Sequence, residues 1–145
     1  MIQVAVHPDC ADIVATAHLD HGIHIVDTFI SPSKALGILT RKEIERPKTL
    51  ALQPATKNYA DLESWEELIS VSSIMKVAEG LLDGTYDSGL TTLELAEQHP
   101  DLLRGDVHIG TVDDPWIVFG KQRVSGGKLL AWPDSPVTGQ LAAHG

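Results

Sequence analysis

A mixed α/β domain is the fold class this sequence predicts, and three observations predict it. Ile2, Val4 and Val6 alternate with Gln3, Ala5 and His7, the two-residue period of a strand. Between residues 61 and 83 apolar residues recur at three- and four-residue spacing, the period of a helix. The whole chain of 145 residues is 43% hydrophobic and 21% charged, the balance of a globular protein. The predicted architecture is an N-terminal three-stranded antiparallel meander followed by helix, strand and helix, with a C-terminal strand and β-hairpin. One domain covers residues 1–145: a core over 1–83, a helix-plus-hairpin extension over 84–132, and a loosely held tail over 133–145.

The elements follow in order. After the first strand, Pro8-Asp9-Cys10-Ala11 turns the chain, and Ile13, Ala15, Ala17 and Leu19 alternate as a second strand would. Asp20-His21-Gly22 suits a three-residue hairpin loop with Gly in its left-handed position, leading into a third strand over 23–30. Ser31-Pro32-Ser33 offers an N-cap and a first-turn proline, which predicts a short helix over 34–42. Thr49 to Leu52, closed by Pro54, reads as a short buried strand. Leu62, Trp65, Leu68, Ile69, Met75, Ala78 and Leu82 predict one helix over 61–83, started by Asp61 or by the Ser64/Glu67 capping box and stopped by Gly84. A second helix is expected over 90–99 and a strand over 107–112. A final hairpin pairs 116–119 with 128–132 around Ser125-Gly126-Gly127.

The order strand, strand, strand, helix, strand, helix is that of the ribonuclease H-like fold, and two short motifs extend the resemblance. Val4-Ala5-Val6-His7-Pro8, followed by an Ala-rich second strand, resembles the opening of Holliday-junction resolvases of the RuvC type, where a strand ends in an Asp-Pro step. Leu50-Ala51-Leu52-Gln53-Pro54, followed by a Ser-rich helix, resembles the fourth strand and next helix of that family. The resemblance spans residues 1–83. It implies a two-metal nuclease in which a first-strand Asp and a fourth-strand Glu hold the ions. Here the matching positions are His7 and either Leu52 or Gln53, and no Asp-rich C-terminal helix follows. Hard magnesium wants oxygen ligands, so standard two-metal activity is expected to be absent. His7, Asp9 and Gln53 are the catalytic candidates of the degenerate metal-dependent phosphodiesterase that remains as an alternative.

Other chemistry is sparse. His18, His21 and His24 lie within seven residues, and the predicted hairpin register sets His18 across from His24 with Cβ atoms about 5 Å apart. Those three are the metal candidates, although two exposed polar residues on a solvated hairpin face explain the same pattern. Cys10 is a single cysteine in an acidic stretch, a poor setting for a thiolate nucleophile. No GxGxxG, Walker-type or GxSxG motif occurs. Thr91 and Glu94 make a capping box, and residues 99–106 are too acidic for a DNA-reading helix.

Charge is blocked along the chain. The total is −9, with −4 over residues 1–30, +4 over 31–60, −11 over 61–114 and +2 over 115–145. That acidity disfavours nucleic acid and anionic membrane as direct partners. The acidic block, including Glu66, Glu67, Glu94 and Glu97, could meet another protein with a basic surface. Trp116 and Trp132 flank the final hairpin, where an exposed indole would anchor such a contact. The expected function is a non-enzymatic acidic protein-binding module of the inhibitor, immunity, phage counter-defence or assembly-factor type, with an assembly subunit as a further alternative. No cofactor is expected, save a divalent metal under the phosphodiesterase alternative. No apolar run reaches the roughly 20 residues that span a bilayer, and the start lacks a basic signal-peptide region, so the expected compartment is the cytoplasm of a bacterium or phage-infected host.

Overall fold

Leu36, Gly37, Ile38, Leu39 and Thr40 are buried without exception, and they form a strand where the Ser-Pro-Ser preface predicted a helix. The computed structural model of the chain describes residues 2–3, 10–124 and 126. Its elements are β1 (Ile2–Gln3), α1 (Cys10–Leu19), β2 (His24–Pro32), β3 (Leu36–Arg41) and β4 (Thr49–Leu52), then a 3-10 turn (Pro54–Thr56) and β5 (Glu67–Ser70). The remainder are α2 (Ile74–Asp83), β6 (Ser88–Thr92), α3 (Glu94–Gln98), β7 (Leu103–Gly110) and β8 (Asp113–Gly120). Among the described residues the strands make two sheets, a mixed five-stranded one in the order β5-β4-β6-β3-β7 and an antiparallel one in the order β1-β8-β2.

β3 lies between β6 and β7 and is antiparallel to both, with Ile38 opposite Leu90 on one side and Val107 on the other. A strand flanked twice and covered on both faces has no solvent side, so its sequence runs apolar without alternation. Gly37 is required there: a Cβ would stand 2.3 Å from Leu93 Cδ2 and 2.5 Å from the Val107 carbonyl oxygen. β5, β4 and β6 are parallel, and α2 is the crossover between β5 and β6. On one face Leu39, Ala51, Val77, Leu81, Leu95 and Leu103 pack together; on the other, Leu36, Ile38, Leu50, Leu52 and Leu90 do, covered by Tyr59, Leu62 and Trp65. Thr40 and Ser88, buried side by side, satisfy one another through a 2.6 Å hydroxyl pair.

The helix expected over 61–83 divides. Leu62 and Trp65 belong to a covering loop, Leu68 and Ile69 to edge strand β5, and only 74–83 to α2. The three- and four-residue spacing runs through all three by coincidence. The break is Ser73, an extended N-cap whose Oγ accepts from Lys76 N at 3.2 Å. Gly84 ends α2 in the left-handed region at φ 86°, as expected. The helix expected over 90–99 is likewise a strand, β6, followed by the short α3.

The N-terminal meander is not formed. Residues 12–19, expected as its second strand, lie in α1, whose Ala11, Ala15 and Ala17 favour a helix; in the sequence Ile13, Val14 and Ala17 satisfy helical spacing as well as Ile13, Ala15 and Ala17 satisfy strand spacing. β2 is the strand expected over 23–30, but its partner is β8, with Phe29 opposite Trp116 and a bulge between Ile25 and Asp27. β1 also pairs with β8. A helix replaces the second strand and a strand replaces the first helix, so the ribonuclease H-like order is absent. The strand expected over 107–112 is found in β7, and that over 116–119 in β8. His7, Asp9, Trp132, the partner strand expected over 128–132 and the tail expected over 133–145 lie outside the described residues.

Two short connections join the sheets: residues 33–35 lead from β2 to β3, and residues 111–112 lead from β7 to β8. They are bonded to each other, Ser33 N donating to Val112 O at 2.8 Å and Val112 N to Ser33 Oγ at 2.9 Å. Both cross at the end of the large sheet where β6 finishes, since Leu36 pairs with Thr92 and with Gly110.

Candidate functional site

The same end of the large sheet is where the parallel strands β4, β5 and β6 stop and α2 starts. In open α/β sheets that is where a crevice forms. Here it is a cleft of ≈ 890 Å³ between the two sheets. Gln53 enters it from the end of β4, Thr92 from the end of β6, and Ser72, Ile74 and Met75 from the start of α2. The opposite wall is Ser31 and Pro32 of β2 with Asp114 and Trp116 of β8. Leu36, Val112, Tyr59 and the 3-10 turn complete it.

The polar side chains of this cleft are largely uncommitted. Those of Gln53, Ser72 and Thr92 make no hydrogen bond to any other described residue; the Gln53 backbone carbonyl is occupied by Thr56 N and Oγ1 at 2.9 and 2.8 Å. Ser73 caps α2, while the remaining first-turn N–H groups have no partner within the helix and carry the positive end of its dipole. Lys34 stands at the rim, 70% exposed, its ammonium 2.5 Å from Glu94 Oε2. On the facing wall Trp116 stacks on Phe29 with ring centroids 5.7 Å apart and planes 8° from parallel. The Trp116 Nε1 is buried without an acceptor among the described residues.

Of the residues singled out in the sequence, the structure brings Gln53 and Trp116 into one cleft, for reasons unrelated to those that selected them. Glu94 reaches its rim through Lys34. Glu66 and Glu67 stand at the β5 edge of the large sheet, whereas Glu94 and Glu97 belong to α3, which packs on β7 at the other edge. Glu66 is 3.7 Å from Lys48. The four glutamates are therefore divided between two edges. His18 and His24 are together, their rings 5.2 Å apart, but through a helix, a turn and a strand. His21 is exposed in that turn. Among the described residues no group of three or more His, Cys, Asp or Glu is placed to hold a metal ion. No motif marks Ser72 or Thr92 in the sequence; the one signal is the Ser72-Ser73 pair inside the expected helix.

Resolved shifts in acidity lie away from the cleft. Asp83 is held below the usual carboxylate range by the Thr85 hydroxyl and then by its backbone N–H. Lys76 is raised by its hydrogen bond to Glu79 and by that carboxylate's charge.

No protein-family model and no curated protein matches the chain. Solved structures do. A prephenate dehydratase from Arthrobacter aurescens in complex with L-Phe matches at 20% identity and a TM-score of 0.48, over 75% of this chain and 41% of that one. The periplasmic VFT2 domain of Bordetella pertussis BvgS matches at 14% identity and 0.45, over 73% and 59%. A cysteine-binding protein from Campylobacter jejuni matches at 15% identity and 0.41, over 79% and 48%. This chain thus spans about half the length of the structures it matches. At these scores the likeness assigns neither a shared fold nor a ligand. By the element and strand order described above, the resolvase resemblance is set aside, together with the nuclease it implied. Among the described residues no helix is long and apolar enough to cross a membrane.

Proposed function

We propose that this chain binds a small organic anion in the cleft between its two sheets. The observation that carries the reading is the convergence of Gln53, Ser72 and Thr92, none of them hydrogen-bonded within the described residues, on the N-terminal end of α2. Three neutral donors beside a helix N-terminus favour a carboxylate or phosphate oxygen over a cation. The facing Trp116 offers a flat apolar surface for the body of such a ligand. The proposal stops at binding.

A panel of small carboxylates and phosphates, tested by thermal unfolding and by tryptophan fluorescence, checks it. A ligand present at 100 times its Kd adds about 2.7 kcal/mol to stability, enough to raise Tm by several degrees. Ser72→Ala with Thr92→Ala should remove that rise while leaving the unliganded Tm close to its original value. A panel that shifts neither Tm nor fluorescence sinks the reading.

A second reading, contact with another protein, is favoured by one observation: Leu19, Ile25 and Ile30 are 78%, 43% and 55% exposed. It differs from the charge-led expectation of a basic partner, because these residues are apolar. The two versions separate by salt: apolar contact survives moderate salt, whereas capture of a basic protein by the divided glutamates weakens. Sedimentation with and without salt distinguishes them.

A further inference from the structure

A second constellation lies away from the cleft, where α1 meets β2. His18 occupies the last turn of α1 and His24 is the first residue of β2. The turn between them, containing Gly22 at φ 59°, folds the two rings to a centroid separation of 5.2 Å with planes at 65°. His18 Nδ1–H donates to the Ile23 carbonyl oxygen at 3.3 Å. A carbonyl can only accept, so this bond puts the proton on Nδ1 and leaves the Nε2 lone pair available, the arrangement by which a backbone oxygen orients a metal-ligating imidazole.

We propose that His18 and His24 form a two-imidazole site for borderline divalent transition metals, Zn²⁺, Ni²⁺ or Cu²⁺, independent of the cleft and its ligand. Among the described residues no larger donor cluster exists, and two imidazoles leave coordination positions open to other donors, water among them. The donors decide the class of ion: both are imidazole nitrogens, while Asp20 and His21 stand exposed in the turn. A site held by carboxylate oxygens would take Mg²⁺ or Ca²⁺; one held by imidazole nitrogen selects ions that bond to nitrogen.

Calorimetric titration of the full chain with ZnCl₂, NiCl₂ and MgCl₂ tests this. One equivalent of zinc or nickel should bind, and magnesium should give no heat of binding. His18→Ala and His24→Gln should each weaken zinc by at least the roughly 10–100-fold that loss of a mere supporting group costs elsewhere. His21→Ala should leave the affinity within about twofold. Circular dichroism confirms that each variant is folded, and either histidine variant suffices if the other is not. No zinc binding by the original chain, or unchanged affinity in a folded His18 or His24 variant, overturns the site. Equal loss in His21→Ala overturns the two-imidazole assignment.

Discussion

Ile38 and Ile30 both lie in β-branched, apolar stretches, yet Ile38 has no exposed surface and Ile30 is 55% exposed. They belong to different sheets. β3 is hemmed by β6, β7 and packed side chains on both faces, whereas β2 is an edge strand whose described partner is β8 alone. Ile38, Leu39, Leu50, Val77, Leu81 and Leu90 are all fully buried, so the apolar area that stabilises the fold is concentrated in the five-stranded sheet and the helix packed on it. The three-stranded sheet contributes an aromatic stack and one wall of a cleft. Burial is thereby concentrated on one sheet, while the cleft takes a wall from each.

Truncation in the core that α2 forms with the large sheet is the most direct way to break that division. Leu81→Ala should cost about 2–5 kcal/mol in urea unfolding, while Ile30→Ala should stay within about 0.5 kcal/mol of the original chain. Equal costs would mean that the small sheet carries as much of the core as the large one. Glycines give a second, smaller contrast. A methyl at Gly37 meets the Val107 carbonyl oxygen, which is held in the sheet, and should cost about 1–3 kcal/mol. At Gly120 it meets Val26 Cγ1 at 2.8 Å, the end of a side chain that can turn, and the loss should be smaller in the same assay.

Ser73→Ala removes the cap of α2 and should lower stability by about 1 kcal/mol, with Ser73→Asp restoring most of it. The smallest effect is electrostatic. Asp83 has its folded-state pKa lowered, so its contribution is present above the unfolded pKa and disappears as pH falls through the folded one. Thr85→Val should move the Asp83 carboxyl titration, followed by carbon NMR, upward toward the usual range, and flatten the acid limb of the stability curve.

Several elements were legible because one face or one end betrayed them. β4 between Lys48 and Pro54, β2 with its β-branched run, β8 around Trp116 and the Gly84 stop of α2 were each expected close to where they stand. β3 was not, because two-sided burial erases the alternation that marks a strand, and Ser31-Pro32-Ser33 imitates a cap. α1 was missed because an Ala-rich segment satisfies both periods. The site was harder still. Gln53 and Trp116 were chosen for a nuclease match and a hot spot, and their meeting depends on pairing β2 with β8, a contact far apart in the chain. The His18 and His24 rings approach as expected, though the register that predicted it does not exist.

One property of the chain's order carries a consequence for its synthesis. Residues 36–110 supply the whole five-stranded sheet without interruption, while the three-stranded sheet draws β1 and β2 from before that stretch and β8 from after it. At ribosomal rates of about 5–20 residues per second, β2 emerges on the order of 10 s before β8 can pair with it. During that interval the large sheet can fold, while the nine residues of β2 are still without the strand they pair with. The small sheet therefore closes only when residues 113–120 arrive, against a large sheet whose strands have all been made.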